Sequence, residues 1–170
     1  MAEGNAVRIA EDAHGPRADF DDIEVGRDLG SLEWTISVAD IDKQCRIDED
    51  YDPVFSLAST QGGRIAPPQI QYRPPRWLLS RNYNVRGVFY RWDFENLGPL
   101  KPDAPIKVSG RIVDKWIARG REYVSFEAVG TDADGREVFR TRRTHVLDVV
   151  TRDAPRGGRG LDSGVKSEKL

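Results

Sequence analysis

Along the 170 residues the spacing of apolar positions changes once, near residue 85. Before that point the period is mostly helical. "EWTISVADIDKQCRI" (33–47) predicts a short strand over 33–37 followed by a helix, with Ser37 as its cap and Val38, Ile41 and Cys45 on one face. "PPQIQYRPPRWLLSRN" (67–82) holds a second helical signal. Pro68 suits a first turn, whereas Pro74–Pro75 must break or restart the helix before Trp77, Leu78 and Leu79. From Val85 onward the period is two, beginning with "VRGVFYRWDFENL" (85–97). In "IKVSGRIVDKWI" (106–117), Ile106, Val108, Ile112 and Trp116 alternate with Lys107, Ser109, Arg111 and Lys115. Arg119–Gly120 is a turn, "REYVSFEAVG" alternates through Val124, Phe126 and Ala128, and "DADG" (132–135) signals a hairpin into "REVFRTRRTHVLDVV".

These elements predict an α+β fold: an antiparallel sheet of about five strands, curled around one central helix. A sheet with one apolar face must cover it, and one helix covers five strands incompletely. Unpaired strand edges also invite a partner strand, so dimerisation is expected.

Composition narrows the picture further. The chain has 26 basic and 28 acidic residues, a net charge of −2, which argues against a general nucleic-acid surface. No run of 18 apolar residues predicts a membrane span. The first residues lack the apolar stretch of a secretory signal, so a cytoplasmic location is expected. A single cysteine, Cys45, excludes an intramolecular disulfide and a multi-cysteine zinc site. Residues 1–19 are polar and aperiodic and read as a loose arm; 151–170, rich in Gly, Pro, Ser and charge, read as a mobile tail. The single domain is 20–150.

Candidate chemistry begins at "DEDYDPVFS" (48–56). Asp48, Asp50 and Asp52 suit a turn whose carboxylates cap backbone N–H groups. Two alternatives stay open: Asp50 or Asp52 as a general acid/base poised by its neighbour, and a calcium-type site. The second lacks the glycine and distal glutamate of the helix–loop–helix pattern. Gly62–Gly63 make a tight turn before the helix, or aim free N–H groups at a carbonyl. Arg73, Arg76, Arg81, Arg86 and Arg91 interleave with Tyr72, Trp77, Tyr83, Tyr90 and Trp92. That stretch reads as a core rim and dimer interface, or as recognition of phosphates and an adenine ring. "RTRRT" (140–144) reads as a solvated strand face with ion pairs, His14 as a solvated bystander, and His145 as a surface or interface histidine sharing strand parity with Phe139, Thr141, Arg143 and Leu147.

Taken in order, these segments resemble the MaoC-like branch of the hotdog superfamily, the (R)-specific enoyl-thioester hydratases and dehydratases. "FDDIEVGRDL" (20–29) looks like the family's entry segment and "SVADIDKQCRI" (37–47) like its first helix. "GGRIAPP" (62–68) is similar to the glycine-rich approach to the central helix, and 100–147 resembles the closing strands. The family's active loop reads Asp-x-Asn-Pro-x-His, and its Asp and His share the proton work on one water or hydroxyl. The matching residues here are Asp50-Tyr51-Asp52-Pro53-Val54-Phe55, with Asp52 at the asparagine and Phe55 at the histidine. Phenylalanine cannot titrate, so the two-residue relay cannot be built from this loop.

"APP" (66–68), in place of the common His-Gly, resembles the degenerate half of two-part hydratases. The resemblance therefore implies a hotdog fold and an acyl-thioester site on coenzyme A or acyl carrier protein, with no cofactor or metal. It implies Gly62, Gly63, Arg64, Ile65, Ala66, Trp77, Tyr90 and Trp92 against the substrate. The chain would form a homodimer or pair with a second hotdog subunit, in the latter case completing the pocket of a catalytic partner. A hydratase working with Asp50 or Asp52 alone, and a thioester binder without chemistry, are the other expectations.

Overall fold

Ser37 decides where the first strand ends and the first helix begins. Its hydroxyl accepts from Asp40 N while the Asp40 carboxylate accepts from Ser37 N, a reciprocal pair that satisfies two otherwise orphaned donors. In the computed structural model, which describes residues 18–56, 63–85 and 87–147, strand β1 (Asp28–Thr35) runs into helix α1 (Val38–Asp48) at this cap. Ile41, Gln44 and Cys45 form the buried face of α1, and Val38, expected beside them, is exposed instead.

The second helical stretch breaks where its prolines require. A 3-10 segment, Pro68–Tyr72, gives way to helix α2 (Arg73–Asn82), which carries Pro74–Pro75 in its first turn where no intrahelical N–H is needed. Trp77, Leu78 and Leu79 are buried on α2, and the helix packs against β1 and β3.

The remaining strands are β2 (Gly87–Asn96), β3 (Pro105–Ala118), β4 (Arg121–Thr131) and β5 (Glu137–Leu147). They form one antiparallel sheet in the order β1-β3-β4-β5-β2, with hairpins at the predicted Arg119–Gly120 and 132–135. Val108, Ile112, Val124, Phe126 and Phe139 point into the core, each fully buried or nearly so. Gly130 sits opposite Phe139, and a Cβ there would lie 2.2 Å from the ring, so the site accepts no side chain.

Two features differ from the sequence expectation. The first strand starts at Asp28 rather than 33, because a bulge between Asp28 and Ser31 places the buried Leu29 and Leu32 three residues apart and erases the two-residue period. Residue 18 already belongs to the domain, since Ala18 is buried and its N–H reaches the Asn84 carbonyl. The rest of the expected arm except Asp19, His14 included, and the expected tail lie outside the described residues.

The helix covers the sheet unevenly. It rests on the β1–β3 half, while edge strand β2 exposes Val88, Phe89, Tyr90 and Phe94. Along β2 no residue is fully buried. None of the described helices is long and apolar enough to cross a membrane.

Candidate functional site

Helix α1 ends at Glu49, whose left-handed backbone (φ 53°) turns the chain, and Asp50 N–H then donates back to the Cys45 carbonyl at 3.0 Å. The acidic loop that follows folds around its own backbone. Asp50 Oδ1 accepts from Asp52 N at 3.2 Å, and Asp52 Oδ1 accepts from Val54 N at 2.9 Å, capping the 3-10 turn Pro53–Phe55. Asp48 Oδ2 accepts from the amides of Gln44 and Gln69. The carboxylates of Asp50 and Asp52 are turn formers.

Arg64 locks this loop onto α1. Its Nε donates to the Phe55 carbonyl and its Nη2 pairs with Asp42. Between loop and helix lies a cleft of about 230 Å³ walled by Asp50, Asp52, Phe55, Cys45 and Arg64. That is less than the roughly 300 Å³ at which small-molecule pockets usually begin. Burial, followed by the charge of Asp50, pushes the Cys45 thiol pKa up, so Cys45 is a packed neutral group rather than a nucleophile.

The Phe55 ring, half-buried and packed against the core, stands in this cleft, and among the described residues no imidazole lines it. His145, expected at the surface, is instead drawn under the sheet. Its ring lies 5.7 Å from Phe126 and 5.6 Å from Phe89, with Nε2 enclosed and without a hydrogen-bond partner. Burial first, and then the charges of Arg143 and Arg76, lower its pKa to about 4, so it is neutral near pH 7. No carboxylate contributes to that shift, so His145 does not form a pair with Asp50 or Asp52.

The other expected binding residues do not converge. Gly63 has φ +133°, an extended form open to glycine, and Ala66 N–H donates to the Leu100 carbonyl at 2.7 Å; Arg64 and Ile65 follow Gly63 beside the loop. Gly62 lies outside the described residues. Trp77 is core, and Trp92 faces inward, its Nε1 donating to Thr141 Oγ1 at 2.7 Å. Tyr90 is on the opposite face of the sheet, against Tyr123. One pocket cannot therefore hold both Tyr90 and Trp92. Among the described residues no group of three or more His, Cys, Asp or Glu gathers to hold a metal.

"RTRRT" divides in a way its pattern conceals. Arg140 pairs with Glu137, and Arg142 lies near Glu127 and Asp114, on the exposed face as expected. Arg143 turns inward and is 5 % exposed. The nearest sequence signal was its shared parity with Phe139 and Leu147.

No family model matches the sequence, and no curated protein matches it by sequence. Solved structures do match the fold. A monoamine oxidase regulatory protein from Archaeoglobus fulgius aligns at TM-score 0.66 and 19 % identity, over 77 % of this chain and 94 % of that one. The R-hydratase PhaJ1 from Pseudomonas aeruginosa aligns at 0.62 and 15 %, over 75 % and 84 %. HadBC, a 3R-hydroxyacyl-ACP dehydratase complex from Mycobacterium tuberculosis, aligns at 0.63 and 15 %, over 77 % and 99 %. At these identities the likeness establishes the hotdog fold, which MaoC-like dehydratases and R-hydratases share with this chain.

Proposed function

We propose that the chain is a hotdog subunit of the MaoC-like hydratase and dehydratase lineage. It binds an acyl thioester of the trans-2-enoyl or 3-hydroxyacyl type and completes the pocket of a second hotdog subunit that carries the proton-transferring pair. The observation that carries this reading is Phe55 in the cleft beside Asp50, while the described histidine, His145, packs against Phe89 and Phe126 instead of lining that cleft. Reversible hydration of an enoyl thioester needs one group to deliver or remove a proton and donors to hold the enolate-like oxygen. Asp50 and Asp52 each commit Oδ1 to a backbone N–H group, which supports a scaffolding role for them.

Support for a partner comes from two further features. The cleft is small for a thioester, so a neighbour has wall to add. Edge strand β2 leaves its backbone edge and the side chains of Val88, Phe89, Tyr90 and Phe94 uncovered, the kind of edge that proteins pair or cover. By the family resemblance the Gly62–Gly63 segment would lie near the thioester carbonyl, with Arg64, Ile65 and Ala66 as wall next to it. The chemistry as proposed uses no cofactor, and the setting proposed for it is the cytoplasm.

Loss of crotonyl-CoA absorbance, followed with the chain alone and mixed with a hotdog subunit bearing an intact Asp-x-Asn-Pro-x-His loop, tests the proposal. Stimulation in the mixture only is expected. Activity of the lone chain that disappears in Asp50→Asn would replace it with a solitary enzyme; thioester-dependent thermal stabilisation without turnover in either would replace it with a binder. Phe55→His should raise hydration by the lone chain at least about 10²-fold above background, the lower end of what a placed general acid/base supplies. A folded Phe55→His variant with no gain would remove Phe55 from the imidazole position.

A further inference from the structure

The inner face of the sheet carries a positive charge with no negative partner among the described residues. Arg143 is 5 % exposed, and Nη1 donates to the Tyr72 carbonyl at 2.6 Å. Its Nε is enclosed and unpartnered. The guanidinium lies 4.7 Å from the Phe89 ring and 5.6 Å from the Trp92 ring. The charged groups that act on it are cationic or neutral: Arg76 from α2 and Tyr72 at its start, with His145 beside it on β5. Burial and the Arg76 charge lower its pKa to about 10, so it remains cationic at neutral pH.

Other polar atoms around this face are similarly unmet. His145 Nε2 is enclosed with no partner. Gln71, directly before the Tyr72 carbonyl that Arg143 grips, is fully buried with neither Nε2 nor Oε1 bonded. Removing an ion from water is costly even after relaxation. Against that stand one charge-assisted hydrogen bond and two ring contacts, none of which brings an opposite charge. A water could bond Nε, yet it brings no charge. The missing element is an anion.

We propose that Arg143 is the anchor of a carboxylate-binding site on the inner face of the sheet and that, resting on the thioester reading above, its natural occupant is an acyl group ending in a carboxylate. The Nε edge of a guanidinium is one side of the planar fork that a carboxylate fits in two-point fashion. The neutral His145 adds an uncharged bond, and Phe89, Trp92 and Phe126 supply apolar walls for a hydrocarbon stem. A single fixed buried cation with apolar walls suits a monoanion on a chain better than a phosphate dianion.

Calorimetric titration of the full chain tests this with succinyl-, glutaryl- and adipoyl-CoA against butyryl-, pentanoyl- and hexanoyl-CoA. At one length or more, the carboxyl-ended ligand should bind at least ten-fold tighter than its methyl-ended counterpart. Arg143→Met should abolish that preference and leave methyl-ended binding within about three-fold of wild type. Its melting temperature should not fall, because the variant removes an uncompensated buried charge. Arg143→Lys, which keeps the charge but not the fork, should retain part of the preference and serves if Arg143→Met fails to fold.

Equal binding of both series would overturn the site while leaving thioester binding intact; so would a preference that survives in Arg143→Met. Should neither series bind, the thioester reading fails instead, and free glutarate becomes the probe. Glutarate stabilisation lost in Arg143→Met would uphold the carboxylate site on its own, and no stabilisation would overturn it. A carboxylate supplied by a partner subunit gives this last result.

Discussion

The acidic loop and the inner face around Arg143 handle polar groups in opposite ways. In the loop, Asp50 and Asp52 each accept from a backbone N–H two residues away, and Arg64 finds both a carbonyl and Asp42. On the inner face, Arg143 and His145 are covered by other elements yet keep enclosed atoms without partners. The loop is the capped turn that its carboxylates suggested. The face, expected to be solvated, instead encloses Arg143. Local hydrogen bonding satisfies polar residues where the chain turns; where strands bury them, satisfaction must come from elsewhere.

Three experiments press on this contrast. Phe126 is fully buried and carries the His145 ring, so Phe126→Ala should cost about 3–5 kcal/mol of stability, read as a lower urea midpoint at unchanged slope. A loss under about 1 kcal/mol would mean the face collapses freely and is not a fixed platform.

Acid should act on the same face next. His145 titrates near 4 when folded and near 6.5 when unfolded, so between these values the unfolded chain holds the extra proton. Stability is therefore full above about pH 6.5 and falls as pH drops toward 4, by at most about 3 kcal/mol from this group. In His145→Gln that slope should flatten, and an unchanged slope would place the imidazole in water.

The smallest effect belongs to the loop. Asp52→Ala removes a side-chain cap and should cost about 1 kcal/mol, whereas Asp52→Asn keeps the acceptor and should cost only a few tenths. If Asn proved as damaging as Ala, the carboxylate charge rather than its capping bond would be what matters.

Much of the fold was legible because the signals were local. Ser37 and Asp40 sit three apart as a capping box, Pro74–Pro75 restart a helix, and Arg119–Gly120 and "DADG" turn hairpins. β1 was half-read because its bulge shifts the pattern by a residue. At the site, the family resemblance of the loop singled out Phe55, and the structure sets its ring in the cleft beside Asp50. Arg143 could not, because Arg140, Thr141, Arg142, Arg143 and Thr144 are polar on both faces of β5 and hydropathy assigns them no inside. Its burial depends on rings from β2 and a carbonyl 71 residues away. Such long-range contacts leave no period behind.

Strand β2 has a consequence for how the protein must be made. An aromatic-rich border that no described strand pairs invites further copies of the chain, so soluble yield should fall as the chain is concentrated. A charge placed on that border, rather than a stronger core, is the remedy the architecture calls for.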